Sequence, residues 1–102
     1  MKKHEPSRKQ LEKLLEKHAS TAGMYVRALG DHLTLGRMEP HGPDRALEAD
    51  DRLRLTHLGG SRWGLSVRRH TGRWEQTPFT GTVTELSEVI WGVMQHLVAP
   101  YG

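Results

Sequence analysis

A strict two-residue alternation governs the middle of this chain. In "RLRLTHLGGSRWGLSVRRH", residues 52–70, apolar side chains recur at every second position on both sides of a Gly-Gly-Ser break. Successive side chains of a β-strand point to opposite faces, so the segment reads as a half-buried antiparallel hairpin. The pattern also fixes the loop. A two-residue loop would pair Leu55 with Gly64 and leave Trp63, Leu65 and Val67 facing Arg52, Arg54 and Thr56. A three-residue loop, Gly59-Gly60-Ser61, pairs Leu53 with Val67, Leu55 with Leu65 and His57 with Trp63. Loops of that length with Gly in the left-handed region are common.

The same logic extends in both directions. "MYVRALGDHLTLGRM", residues 24–38, folds back at Gly30-Asp31, where Gly supplies the positive φ of a type II′ turn. That register sets Ala28 opposite Leu33 and Val26 opposite Leu35, so one face stays apolar. "EPHGPDRALEADD", residues 39–51, is rich in Pro, Gly and acid and is expected to be a loop, with room for a helical turn at Asp44–Ala49. In "RHTGRWEQTPFTGT", residues 69–82, a two-residue Thr71-Gly72 turn places Trp74 beside Arg69 and Glu75 opposite Arg68. Trp74 then joins the face of Trp63, Leu65 and Val67, and Glu75 joins the Arg face. Pro78 confines that strand to an edge, and Gly81 turns the chain.

Helices bracket the strands. Thr82 and Glu85 have capping-box spacing and open a run in which Val83, Leu86, Val89, Ile90, Val93, Met94, Leu97 and Val98 recur at helical spacing, until Pro100. At the other end, Ser7 and Gln10 have the same spacing behind Pro6. Leu11, Leu14, Leu15 and His18 then form a narrow stripe, flanked by Lys9–Glu12 and Lys13–Glu16 pairs. The expectation is one α+β domain over residues 1–102, in the order α-β-β-β-β-β-α. A basic helix occupies 1–22, about five short antiparallel strands form a meander over 24–80, and an amphipathic helix fills 82–99. Both helices pack on one face.

Charge is distributed unevenly. The net charge is +3, yet residues 39–51 carry Glu39, Asp44, Glu48, Asp50 and Asp51 against Arg45 alone, and residues 52–74 carry six arginines and no acid. The sheet face opposite the helices is therefore expected to hold Arg27, Arg52, Arg54, Arg68 and His70, with Thr34, Ser66 and Glu75. Arg52 would sit directly across from Arg68. Like charges so opposed are unfavourable and call for a counter-charge, from the acidic segment, a partner or a phosphate. Arg favours phosphate through its planar fork, and Tyr25 and His70 could stack on bases. Residues 19–102 nevertheless sum to no net charge, whereas a dedicated nucleic-acid binder carries a basic excess.

Catalytic chemistry is not expected. The serines lack a nucleophile elbow, and "GGSRWG" precedes a strand, so it is neither a P-loop nor a dinucleotide fingerprint. No cofactor is implied. The 7 histidines form no H-x₃-H pair and none sits at a known ligand spacing from a carboxylate, so no metal site is expected either; His57 reads as a hydrogen-bonded border residue. The chain has no cysteine, which suits a cytoplasmic protein. It has no apolar run of about 18 residues for a membrane and no apolar h-region behind its basic start. Trp91 falls off the main stripe of the last helix. It either meets a partner or packs on the first helix near Leu14 or Leu15. The leading expectation is a non-catalytic interaction module that self-associates as a homodimer or meets another protein. The alternative is a nucleic-acid-binding accessory protein using the Arg face.

Overall fold

The computed structural model describes residues 3–99. Five strands form one antiparallel meander in the order β1-β2-β3-β4-β5: β1 (Tyr25–Leu29), β2 (His32–His41), β3 (Ala46–Gly59), β4 (Arg62–Arg68) and β5 (Trp74–Gly81). Helix α1 (Glu5–Glu16) precedes the sheet, and α2 (Val83–Gly92) and α3 (Gln95–Val98) follow it. This is the expected α+β architecture. None of the helices among the described residues is long and apolar enough to cross a membrane.

The two hairpin registers read from the alternation hold. Val26 pairs with Leu35 and Ala28 with Leu33, and Leu53, Leu55 and His57 pair with Val67, Leu65 and Trp63. Gly30 and Gly60 take φ of +59° and +53°, a region open to glycine because it has no Cβ. The inner face they create is dry. Leu33, Leu35, Leu53, Leu55, Trp63 and Leu65 from the sheet meet Leu11 and Leu15 of α1 and Val83, Leu86 and Ile90 of α2 in one buried cluster. Thr82 and Glu85 close a full capping box at the start of α2.

Four local readings are corrected. Helix α1 begins at Glu5 behind His4, with Pro6 inside its first turn and no side-chain cap; Arg8, paired with Glu5 and Glu12, replaces the expected Lys–Glu pairs. Residues 39–51 are not a loop. β2 and β3 run on past β1 and β4 as a two-stranded arm, pairing Met38 with Ala49 and Pro40 with Leu47 before turning at residues 42–45. Pro40 is tolerated because β1 does not extend alongside it, so its missing N–H costs no ladder bond. The last helix breaks after Gly92 into α2 and α3, which leaves Val93 and Leu97 exposed while Met94 and Val98 stay buried. Pro100 lies outside the described residues. The remaining correction concerns register and decides which side chains face solvent.

Between Leu35 and Gly36 the β2–β3 register shifts: Leu35 pairs with Leu53 but Gly36 pairs with Asp51. Arg52 is the extra residue of a β-bulge. Its side chain turns to the helix side, where it donates to Ala99 O (2.5 Å) and to Glu39 Oε1 (2.8 Å) and is only 6% exposed. Arg37 lies on the same side. It donates to Val98 O (2.5 Å), Ala22 O (2.9 Å) and Ser20 O (2.9 Å). Helix ends leave carbonyls without intrahelical partners, and the two guanidiniums satisfy those of the chain after α1 and of α3. Burial, and then the neighbouring Arg52, pull the Arg37 pKa below its usual value, which still leaves it charged at neutral pH.

Gly36 permits the bulge. A Cβ there would collide with the Asp50 carbonyl oxygen and the Tyr25 hydroxyl. Gly36→Ala is therefore expected to destabilise the protein by about 1–3 kcal/mol, the scale of overpacking. Chemical denaturation checks this; an unchanged midpoint would show that the strands can part without cost.

Candidate functional site

The helices cover one face of the sheet, and the other is open. Its side chains can be followed strand by strand through the register. One row runs Arg27, Thr34, Arg54, Ser66, Gln76 across all five strands. A second holds Tyr25, Gly36 and Asp51 on β1 to β3, with the Arg68–Trp74 pair on β4 and β5.

Trp74 is on this face and not on the helix side. The turn after β4 is one residue longer than expected: Arg69 N–H donates to Arg73 O, so His70, Thr71 and Gly72 form the loop. Arg68 consequently pairs with Trp74 and Val67 with Glu75. A register slip of one residue exchanges the faces of every side chain on the strand. Glu75 has left the Arg face and pairs instead with Arg69. In its place the Trp74 ring lies under two guanidiniums, with Arg54 Cζ at 4.6 Å and Arg68 Cζ at 5.8 Å from its centroid. Both distances suit cation–π attraction.

Asp51 supplies the counter-charge the face required. It accepts from the Tyr25 hydroxyl and from Arg27 Nη2 (2.6 Å), and Arg68 Nη1 stands 3.6 Å from its other oxygen. Arg27 also lies over the Tyr25 ring, at 4.9 Å. Burial, and then the bond to Asp51, push the Tyr25 phenol above its ordinary pKa, so it remains a neutral donor. Arg54 Nε is buried and has no hydrogen-bond partner among the described residues; its guanidinium is held by stacking.

Of the expected Arg-face residues, Arg27, Arg54 and Arg68 are brought together. Arg52 is not, because the bulge exchanges it for Asp51, and the expected Arg52–Arg68 opposition does not form. His70 sits in the exposed turn after β4 and lines, with Asp51, Arg52 and Arg68, a cleft of about 630 Å³ at the end of that strand. Trp91 is half-buried and stacks on His18, with ring centroids 3.9 Å apart and planes at 13°. Its ring is thus engaged by the chain just beyond α1. Asp51 and Trp74 were missed from the sequence. The first was signalled only by the end of strict alternation at Asp51-Arg52, and the second by nothing that fixes the loop length.

Guanidinium, indole and phenol groups donate hydrogen bonds, stack and carry charge, but none is a proton-transfer group near neutral pH. No family model, curated protein or solved structure matches this chain.

Proposed function

We propose that the protein is a non-catalytic interaction module that docks a protein partner on the open face of its sheet, and that a second copy of the chain is such a partner. One observation carries the reading. Four large apolar side chains on this face are exposed: Leu29 (80%), Met38 (51%), Leu47 (63%) and Leu58 (53%). Leu29 shares the side of Arg27, Met38 and Leu47 extend it along the arm, and Leu58 leans over Gly64. With Tyr25, Trp74 and the arginines they give a surface rich in Leu, Met, aromatics and Arg. All lysines lie in the first 17 residues, so none is on the five strands. Aromatics, Met and Arg are enriched at protein interfaces and Lys and Glu depleted. A symmetric interface must be complementary to itself, which a patch carrying both Asp51 and free faces of Arg54 and Arg68 can satisfy.

A second reading has a specific observation in its favour. Trp74 between Arg54 and Arg68 resembles a stacking platform for unpaired bases. Asp51 weighs against it, since it sits between Arg27 and Arg68 and repels phosphate.

Light scattering on the wild type and on a Leu29→Ser/Trp74→Ser variant, with and without single-stranded oligonucleotide, separates the two. Self-association predicts a concentration-dependent mass increase in the wild type that the variant loses. Oligonucleotide should change nothing beyond weak cationic binding. If instead oligonucleotide binds tightly, with a log–log salt slope that Arg54→Ala or Arg68→Ala each shallows by about one unit, the nucleic-acid reading takes its place.

A further inference from the structure

On the opposite side of the fold, the start of α1 meets two strand ends around a cluster of imidazoles. We propose that His4, Asp31 and His57 form a binding site for a divalent transition-metal ion of the zinc class. The inference is independent of the open-face reading.

The three residues come from three elements: His4 precedes α1, Asp31 lies in the β1–β2 turn, and His57 is on β3. One ligand atom from each lies within 4.8 Å of the others, and among the described residues this is the one group of His, Cys and carboxylate side chains so placed. His4 Nε2 and Asp31 Oδ1 are 2.9 Å apart. A tetrahedral zinc site with bonds of about 2.0–2.1 Å holds its ligand atoms about 3.3 Å apart. The cluster is thus near its closed form, and small side-chain rotations complete it.

The positions are also held. His57 N–H donates to Asp31 O at 2.8 Å, tying β3 to the turn that carries the carboxylate. His57 Nε2 contacts Gly60 O at 2.8 Å. A carbonyl can only accept, so Nε2 is the donor in this contact and Nδ1 is the nitrogen left for a metal. Metal-bound histidines are oriented by such a second bond from the far nitrogen to a backbone carbonyl. His4 is only 8% exposed, and its ring packs 4.5 Å from that of His57 and 4.9 Å from Trp63. Neither imidazole can swing freely. His4 and His57 also line a groove with Ser61 and Thr82, which gives an ion and its water ligands a route in.

The chemistry is balanced. Asp31 is a half-exposed carboxylate that faces His4 Nε2 and Lys3 Nζ through one oxygen, and an ordinary aspartate is anionic at neutral pH. The Lys3 ammonium stands 3.0 Å from the same Oδ1 that faces His4, a cation where a metal would compete. Uptake displaces Lys3 from that oxygen and moves the His4 proton from Nε2 to Nδ1, which frees Nε2 to coordinate. Two imidazoles and one carboxylate are a borderline nitrogen–oxygen set suited to zinc, and three protein ligands leave a position for water.

A simple tether of α1 to the sheet would need only the His4–Asp31 pair. The second imidazole, oriented by the contact of its Nε2 with Gly60 O, distinguishes a ligand set from a tether. The test is a calorimetric titration of the full chain, first stripped with chelator, with zinc chloride, while imidazole nitrogen resonances are followed by NMR. One ion per chain is expected, with His4 and His57 the resonances that shift. Asp31→Asn, at a half-exposed turn side chain, should keep the circular dichroism of the wild type and weaken zinc about tenfold or more, the scale on which even outer-shell partners act. His57→Gln should abolish binding. Replacing the exposed His41, His70 and His96 by Asn should leave it intact. Absence of binding by the folded wild type overturns the proposal. So does binding that follows His41, His70 and His96, or an Asp31→Asn variant that loses stability but keeps its zinc affinity.

Discussion

A chain ending at Gly81 is expected to be unfolded. The segment removed contributes Val83, Leu86, Ile90, Met94 and Val98 to the buried cluster. Each large apolar side chain taken from the core is worth about 1.5–3 kcal/mol, so the five together match a typical total stability of about 5–15 kcal/mol. The loss does not end there. Removing α2 also uncovers Trp63 and Leu65 on the sheet and takes away Thr84, to which Gln10 of α1 donates at 3.2 Å. Circular dichroism and amide dispersion of residues 1–81 check the expectation. A soluble fragment that melts cooperatively would show that the strands and α1 hold a core without α2.

Arg37→Met is expected to be the most damaging single substitution, although it replaces a charge with an apolar side chain of similar length. Three carbonyls, on Val98, Ala22 and Ser20, lose their donor at once. An orphaned buried acceptor costs about 1–3 kcal/mol. Water can reach part of this site, so a net loss of about 3–5 kcal/mol is expected, close to that for breaking a buried charged network. In a domain of this size about 3 kcal/mol lowers Tm by roughly 12–24 °C. Arg27→Met supplies the contrast. That side chain is 57% exposed and its partner is Asp51, so the change should cost less than about 1 kcal/mol. Equal effects of the two substitutions, read by thermal denaturation, would contradict the clamp.

The difference between these arginines was invisible in the sequence. Periodicity identified the strands, both glycine hairpins and the α2 cap, because each rests on a local rule whose residues are adjacent. It failed where one extra residue decides the outcome. The bulge at Arg52 exchanges Arg52 for Asp51 on the open face, and the sequence marks it only by the end of strict alternation at Asp51-Arg52 and by Gly36 on the partner strand. The turn after Arg68 could hold two or three residues, and "RHTGR" has no apolar side chain whose burial would choose between them. Hence Trp74 and Glu75 were placed on the wrong faces. The arm reads as a loop because Pro, Gly and Asp are depleted in strands, a preference that weakens where a strand is an edge. His4, Asp31 and His57 are far apart in the chain and meet only through the topology of the sheet, which no ligand-spacing motif encodes.

The central claim is that the open sheet face, and not the helical side, meets other molecules. The three tryptophans report on it separately: Trp63 is buried under the helices, Trp91 is stacked on His18, and Trp74 lies on the open face between Arg54 and Arg68. The most direct measurement follows their indole N–H resonances as protein concentration is raised. The Trp74 signal should move or broaden with concentration while those of Trp63 and Trp91 stay in place. A Trp91 signal that moves while Trp74 stays fixed, or three signals that never respond, would contradict the account.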